Sequence, residues 1–251
     1  MINTQKLFCC IASFFLYFSL MEAKEARTLV VILAETREGD VTYENFKKNL
    51  LDPLKADLAV CIGVKNEQTP KDPLFTHAKY RFCYPEPEDY ATAFDEAAKV
   101  IALQHPEVQR PFPWRKFLKI RDQILGGVKD NRFEQRGSLG ILLFYRWFLL
   151  QNILEHKLLD EYEFFVITRS DHFYVLPHPS LNTLTDKKIS IPKGEEHDGV
   201  TNRHVVLPKK FVVSYLDILN KMVTHVNAQK FAQSGMDLES FYQAHLSPVV
   251  K

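Results

Sequence analysis

The sequence has no surplus of either charge. Lys and Arg together number 32 against 31 Asp and Glu, for a formal net charge of +1 over 251 residues. Nucleic-acid and anionic-membrane partners are recognised by an excess of cations, which this chain lacks. Cysteine is scarce too. Of four, Cys9 and Cys10 fall in one apolar segment, leaving Cys61 and Cys83, and that spacing excludes a cysteine-rich zinc site. The remaining two can pair in an oxidising compartment or lie as free buried thiols in strands. No G-x-G-x-x-G follows the first strand, which argues against a dinucleotide site. There is no internal repeat or low-complexity tract.

One apolar run is present, at the start. Leu7 to Met21 reads LFCCIASFFLYFSLM, fifteen residues without a charge, preceded by Lys6 and followed by Glu22, Lys24, Glu25 and Arg27. A secretory signal has this shape, with a short basic region before an apolar core. The run is shorter than the roughly 20 residues of an ordinary membrane span, although a retained anchor in a thin membrane fits as well. A buried N-terminal helix is the third reading. Residues 1–26 are therefore expected to be a signal peptide or signal anchor. Residues 27–251 are expected to form a single domain in a secretory or extracytoplasmic compartment, with membrane anchoring by residues 7–21 as the open alternative. The composition, 46% hydrophobic and 25% charged, suits one globular domain.

Along that domain, Arg27 to Ala34 (RTLVVILA) and Asp57 to Val64 (DLAVCIGV) have the length and β-branching of buried strands. Between them a polar turn precedes a helical pattern over Tyr43 to Leu54, with Thr42 as the expected cap. Strand, helix, strand predicts a parallel pair. Lys79 to Tyr84 is a third short strand and Tyr90 to Leu103 a helix. A helix is expected over Trp114 to Leu125. Gly137 to Leu159 is a longer helix, apolar nearly all round and hence buried. Ile189 to Pro192 reads as a short strand and Arg203 to Leu207 as strand or loop. Pro208 opens a helix over Lys209 to Val226, with Phe211, Val212, Tyr215, Ile218, Leu219 and Met222 on one face.

The stretch that organises the rest is Tyr162 to Pro177. Phe164 to Ile167 is a short strand buried on both faces, and the polar residues Thr168-Arg169-Ser170-Asp171 follow at once. In open α/β sheets ligands bind outside the carboxyl ends of the strands. Arg169 and Asp171 alternate with Ser170, so in an extended chain they face one side. Asp171 can hold a divalent cation and the Arg169 fork suits phosphate oxygens. Each also has a plain reading: Asp171 as a turn cap, and Arg169 as the partner of Asp171 or Glu163 in an ion pair.

Four stretches together resemble the small nucleotide-sugar glycosyltransferases of the GT-A fold: TLVVILAETREG (Thr28 to Gly39), HAKYRFCYPEPEDYATAF (His77 to Phe94), FFVITRSDHFYVLPHP (Phe164 to Pro179) and ISIPKGEEHDGVTNRHVV (Ile189 to Val206). The resemblance implies an α/β fold with a Rossmann-like, mostly parallel central sheet flanked by helices. It implies a nucleotide-sugar donor, a glycan or protein acceptor, no nucleic-acid partner, and a divalent cation (Mn2+ or Mg2+). The donor would be bound by Glu35, Arg37, Arg169, Asp171, Arg203 and His204, with Asp171 as the metal ligand. The family's Asp-x-Asp is here Arg169-Ser170-Asp171, and Asn202 stands where an Asp is expected before Arg-His. These departures motivate a second reading, a catalytically inactive binding protein of the same fold. An inverting transfer needs a carboxylate near the acceptor hydroxyl, and Asp198 and Glu196 are the candidates. His172, Trp114 and Trp147 are expected to serve packing. A phosphate-ester hydrolase would need a nucleophile or second metal carboxylate at a strand end, and none stands out.

Overall fold

The computed structural model describes residues 26–36, 38–64, 71–86, 90–106, 119–120, 123–124, 139–184, 187–194 and 203–224. Their centre is one five-stranded sheet. In chain order the elements are β1 (Thr28–Ala34), α1 (Gly39–Phe46), β2 (Asp57–Val64), α2 (Pro73–His77), β3 (Tyr80–Pro85), α3 (Tyr90–Gln104), β4 (Lys119–Ile120), β5 (Gln123–Ile124), α4 (Leu139–Glu155), α5 (Leu158–Glu161), β6 (Phe164–Thr168), β7 (His204–Pro208), α6 (Lys209–Leu216) and α7 (Ile218–Thr224). The sheet order is β3-β2-β1-β6-β7. The first four strands are parallel, and β7 runs antiparallel to β6. The expected α/β architecture with a mostly parallel sheet and flanking helices is present.

Side-chain alternation sorts the strands into two cores. Leu29, Val31, Leu33, Cys61, Phe165, Ile167 and Val205 face α3, α4, α6 and α7. Val30, Ile32, Val60, Ile62, Val166 and Val206 face α1 and α2. Every residue of β1 is buried. Two-sided burial explains its unbroken apolar run, each Val, Leu or Ile contributing about 1.5–3 kcal/mol. α4 lies against β1 and β2, and its Phe144 makes ring contacts with Tyr84, Phe94 and Phe148.

Several expectations are corrected. α1 begins at Gly39, with Glu38 in the left-handed region (φ 56°) as its cap. Thr42 is therefore inside the first turn, where its hydroxyl donates to the Glu38 carbonyl at 3.0 Å. Lys119–Ile120 and Gln123–Ile124 pair as an antiparallel hairpin rather than continuing a helix from Trp114. Ile189 to Pro192 contributes a single bridge, Ser190 to Val206. The helix after Pro208 is interrupted at Asp217, whose carboxylate accepts from the Asn220 side chain at 3.0 Å, and a second helix follows from Ile218. Cys61 and Cys83 are both free thiols. Cys61 pairs with Phe82, and Cys83 with Ile62, across adjacent strands, so the two sulfurs point to opposite faces. Among the described residues no helix is long and apolar enough to cross a membrane. The expected signal or anchor, Trp114 and the Met222 side chain lie outside what is described.

Candidate functional site

At the carboxyl end of β6 the chain leaves the sheet through Arg169-Ser170-Asp171. Two hydrogen bonds fix this turn. The buried Ser170 donates from Oγ to the Glu35 carbonyl at 3.1 Å, and its own carbonyl accepts from Thr42 Oγ1 at 2.8 Å. The turn is thereby tied to the ends of β1 and α1. The next residues are clamped by α1. Asn45 accepts from Tyr174 N at 2.7 Å and donates to Tyr174 O at 3.0 Å, while Asn49 donates to the same carbonyl at 2.9 Å. Lys47–Leu51 is a π-helical stretch. Pro53 has no N–H to offer the Asn49 carbonyl four residues earlier. The His178 amide takes that place at 2.7 Å. A proline within the helix thus frees the acceptor that holds the site loop.

This loop, the 187–194 segment and the start of β7 enclose a cleft of about 670 Å3, within the range of small-molecule sites. Asp171, Arg203 and His204 all line it, as do His172, Tyr174 and His178. His204, 8% exposed, lies with Nδ1 3.1 Å from Thr168 Oγ1 and 3.2 Å from the Tyr174 hydroxyl. Its ring is 5.5 Å from that of His178. Burial, with smaller contributions from His178 and His172, pushes the His204 pKa down to about 3. It is a neutral hydrogen-bonding group at neutral pH. Burial likewise raises the Tyr174 phenol to about 12 and lowers His178.

Arg169 and Asp171 do share a side, and they meet. Arg169 donates from Nε to Asp171 Oδ1 at 2.8 Å and from Nη2 to Oδ2. That fork holds the Asp171 carboxyl below its ordinary range. The ion-pair reading of Arg169 is the one observed. A divalent cation would find one carboxylate here with both oxygens already held by a guanidinium. Among the described residues no group of three or more His, Cys, Asp and Glu could hold a metal ion. The donor set as it stands does not fit Mn2+ or Mg2+.

The turn after β1 is more closed than expected. Chain direction changes at Ala34, whose φ of 77° is costly for a residue with a side chain. The Asp72 carboxylate lies over the first residue of α1: a Cβ on Gly39 would stand 2.3 Å from Asp72 Oδ2. The carboxylate thus occupies the helix end where an anion would approach. It also accepts from the Leu74 amide at 2.7 Å, capping α2. Glu35 supplies a carbonyl to Ser170 but does not line the cleft. Arg37, Glu196 and Asp198 lie outside the described residues, as do Glu195 and Asn202.

Sequence reasoning assigned His172 to packing, yet it lines the cleft, and it passed over Tyr174 and His178 altogether. The available signal was a run of three ring-bearing residues four positions past a strand end, His172-Phe173-Tyr174, with His178 soon after. Asn45 and Asn49, spaced i and i+4, gave none, because their partner Tyr174 is 129 and 125 residues away. No protein-family model matches the chain, and no curated protein matches it.

Proposed function

We propose that the chain is a GT-A-type glycosyltransferase that binds a nucleotide sugar in the cleft beyond β6 and passes the sugar to a glycan or protein acceptor. The observation that carries this reading is the convergence of Asp171, Arg203 and His204 on one cleft at the carboxyl end of a central strand. Arg203 supplies a cation for the donor's phosphates, and the neutral His204, braced by Thr168 and Tyr174, supplies a hydrogen bond to a sugar or ribose hydroxyl. Asp198 or Glu196 would take the acceptor proton, and Arg37 would reach the donor's phosphates. A divalent cation, were one bound, would neutralise charge on the leaving diphosphate. No step is assigned to it, because Arg169 holds the Asp171 carboxylate and no group of metal ligands stands among the described residues. The signal-like start favours a secretory or extracytoplasmic compartment.

The Arg169–Asp171 fork favours a second reading, a nucleotide- or carbohydrate-binding protein without turnover. One experiment addresses both. Thermal denaturation of the 27–251 domain is followed with nucleoside diphosphates, nucleotide sugars and free sugars or oligosaccharides, with and without Mn2+. A ligand at 100 times its Kd stabilises by about 2.7 kcal/mol. Binding with sugar release in the presence of acceptors supports the transferase. Binding without turnover supports the second reading. No shift with any nucleotide, with or without Mn2+, overturns the transferase and the nucleotide-binding form of the second reading; no shift with free sugars or oligosaccharides overturns its carbohydrate-binding form.

A further inference from the structure

The cleft is lined by both polar and large apolar side chains. On β7, His204 and Val206 are alternate residues on the same face, about 7 Å apart along the strand. His204 sits at the carboxyl end of β6, beside Asp171, Arg203 and His178. Val206 lies further in, bridged to Ser190. Leu184 packs in the same cluster as Val206, and Ile191 and Pro192 follow Ser190; all three line the cleft, as does Leu176. The rim continues this character. Phe173, Val175 and Leu176 are 67%, 87% and 75% exposed, three large apolar side chains within four residues. The loop is not held out by default. Tyr174, between them, is anchored through its backbone to Asn45 and Asn49 and through its hydroxyl to Thr168 and His204. Its ring packs edge-on against Phe46 at 5.8 Å. Tyr174 is held inward while Phe173 and Val175 on either side of it are exposed. A sugar-only ligand would leave these apolar side chains without a partner.

We propose that the acceptor is amphipathic: a hydroxyl-bearing compound with an alkyl or aryl group, the hydroxyl at the His204 end and the apolar group along Val206, Leu184, Ile191 and Leu176. This inference rests on the transferase reading for the word acceptor, but the amphiphile's binding does not depend on it.

The test is direct binding of a homologous series of monomeric alkyl β-glucosides, methyl to hexyl, to the full-length protein without nucleotide. Each added methylene that enters the cleft should tighten binding about threefold to fourfold, the equivalent of about 0.8 kcal/mol. Leu176→Ser, at an exposed position that leaves the fold intact, should flatten the dependence on chain length. Ile191→Ser should do the same. Sedimentation with phosphatidylcholine vesicles distinguishes the source: a bilayer-borne chain brings the protein down and a free amphiphile does not, and either supports the amphipathic class. Equal affinity along the series overturns it, as does a chain-length dependence untouched by both substitutions. Nucleotide binding with a flat glucoside series would sink this inference alone. A steep series without nucleotide binding would sink the transferase reading alone.

Discussion

The two edges of the sheet carry similar residue types in opposite arrangements. At the amino edge, Asp57 of β2 accepts from Arg27 at 3.0 Å, from Lys79 at 2.6 Å and from the Tyr162 hydroxyl. Arg27 also reaches Glu161, and Tyr162 reaches Tyr80. These three donors come from three separate stretches of chain, so with Asp57 the network ties the starts of β1, β2, β3 and β6 together. At the carboxyl edge, the forked partner of the Asp171 carboxylate is only two residues away. A local pair ties nothing distant, and the neighbouring Arg203, His204 and His178 face a cleft instead. Polar residues drawn from many strands onto one carboxylate build structure. Polar residues aimed into a shared space can serve a ligand.

The largest expected effect belongs to the amino edge. Tyr162 is fully buried, and Tyr162→Ala removes both a core ring and the hydroxyl on Asp57. By analogy with buried aromatic truncations it should lower stability by about 3–5 kcal/mol in urea unfolding. In the fraction that remains folded, ligand affinity at the cleft should not change. A loss below about 1 kcal/mol would mean the network is ornamental.

The pH dependence separates the edges next. His204 has a folded pKa of about 3 against an ordinary value of 6.5. Between those values the unfolded chain binds a proton that the folded chain does not. Stability should therefore be unaffected above pH 6.5 and fall as pH drops toward 3, by up to about 1.4 kcal/mol per unit. His204→Asn should flatten that limb. Asp57 has its folded pKa lowered from 3.8 by its donors. Its contribution is present above 3.8 and is lost only as pH falls through the folded value. Asp57→Asn should leave the slope between pH 6.5 and 4 intact and reduce the loss below it. An unchanged slope above pH 4 in His204→Asn would place the sensitive group elsewhere.

Asp171→Asn should cost less than about 1 kcal/mol of stability, since its pair is local and partly exposed. It should weaken nucleotide-sugar binding about tenfold or more, read by calorimetry. Several kcal/mol lost with binding intact would make Asp171 a structural cap. The smallest effect is expected for the exposed Lys209–Glu163 pair, where Lys209→Ala should change stability by under about 0.5 kcal/mol and affinity not at all.

Much of this contrast was legible before any coordinates. The buried strands β1, β2 and β6 announce themselves because two-sided burial leaves an unbroken apolar run, and α4 because it is apolar all round. The position of Asp171 follows from its place after β6. What the sequence hides is whatever depends on distant partners. Nothing local says that Asp72 lies over Gly39. The site loop's shape depends on Asn45 and Asn49, and on the helix irregularity that precedes Pro53. Each is a tertiary choice among locally equivalent options.

The central claim is that the ligand enters at the carboxyl edge. Calorimetric titration of the 27–251 domain with a nucleoside diphosphate, repeated on Arg203→Ala and Arg27→Ala, tests it most directly. The account predicts at least tenfold weaker binding for Arg203→Ala, about 1.4 kcal/mol, and wild-type affinity for Arg27→Ala. Full affinity in Arg203→Ala, or a matching loss in Arg27→Ala, would contradict it.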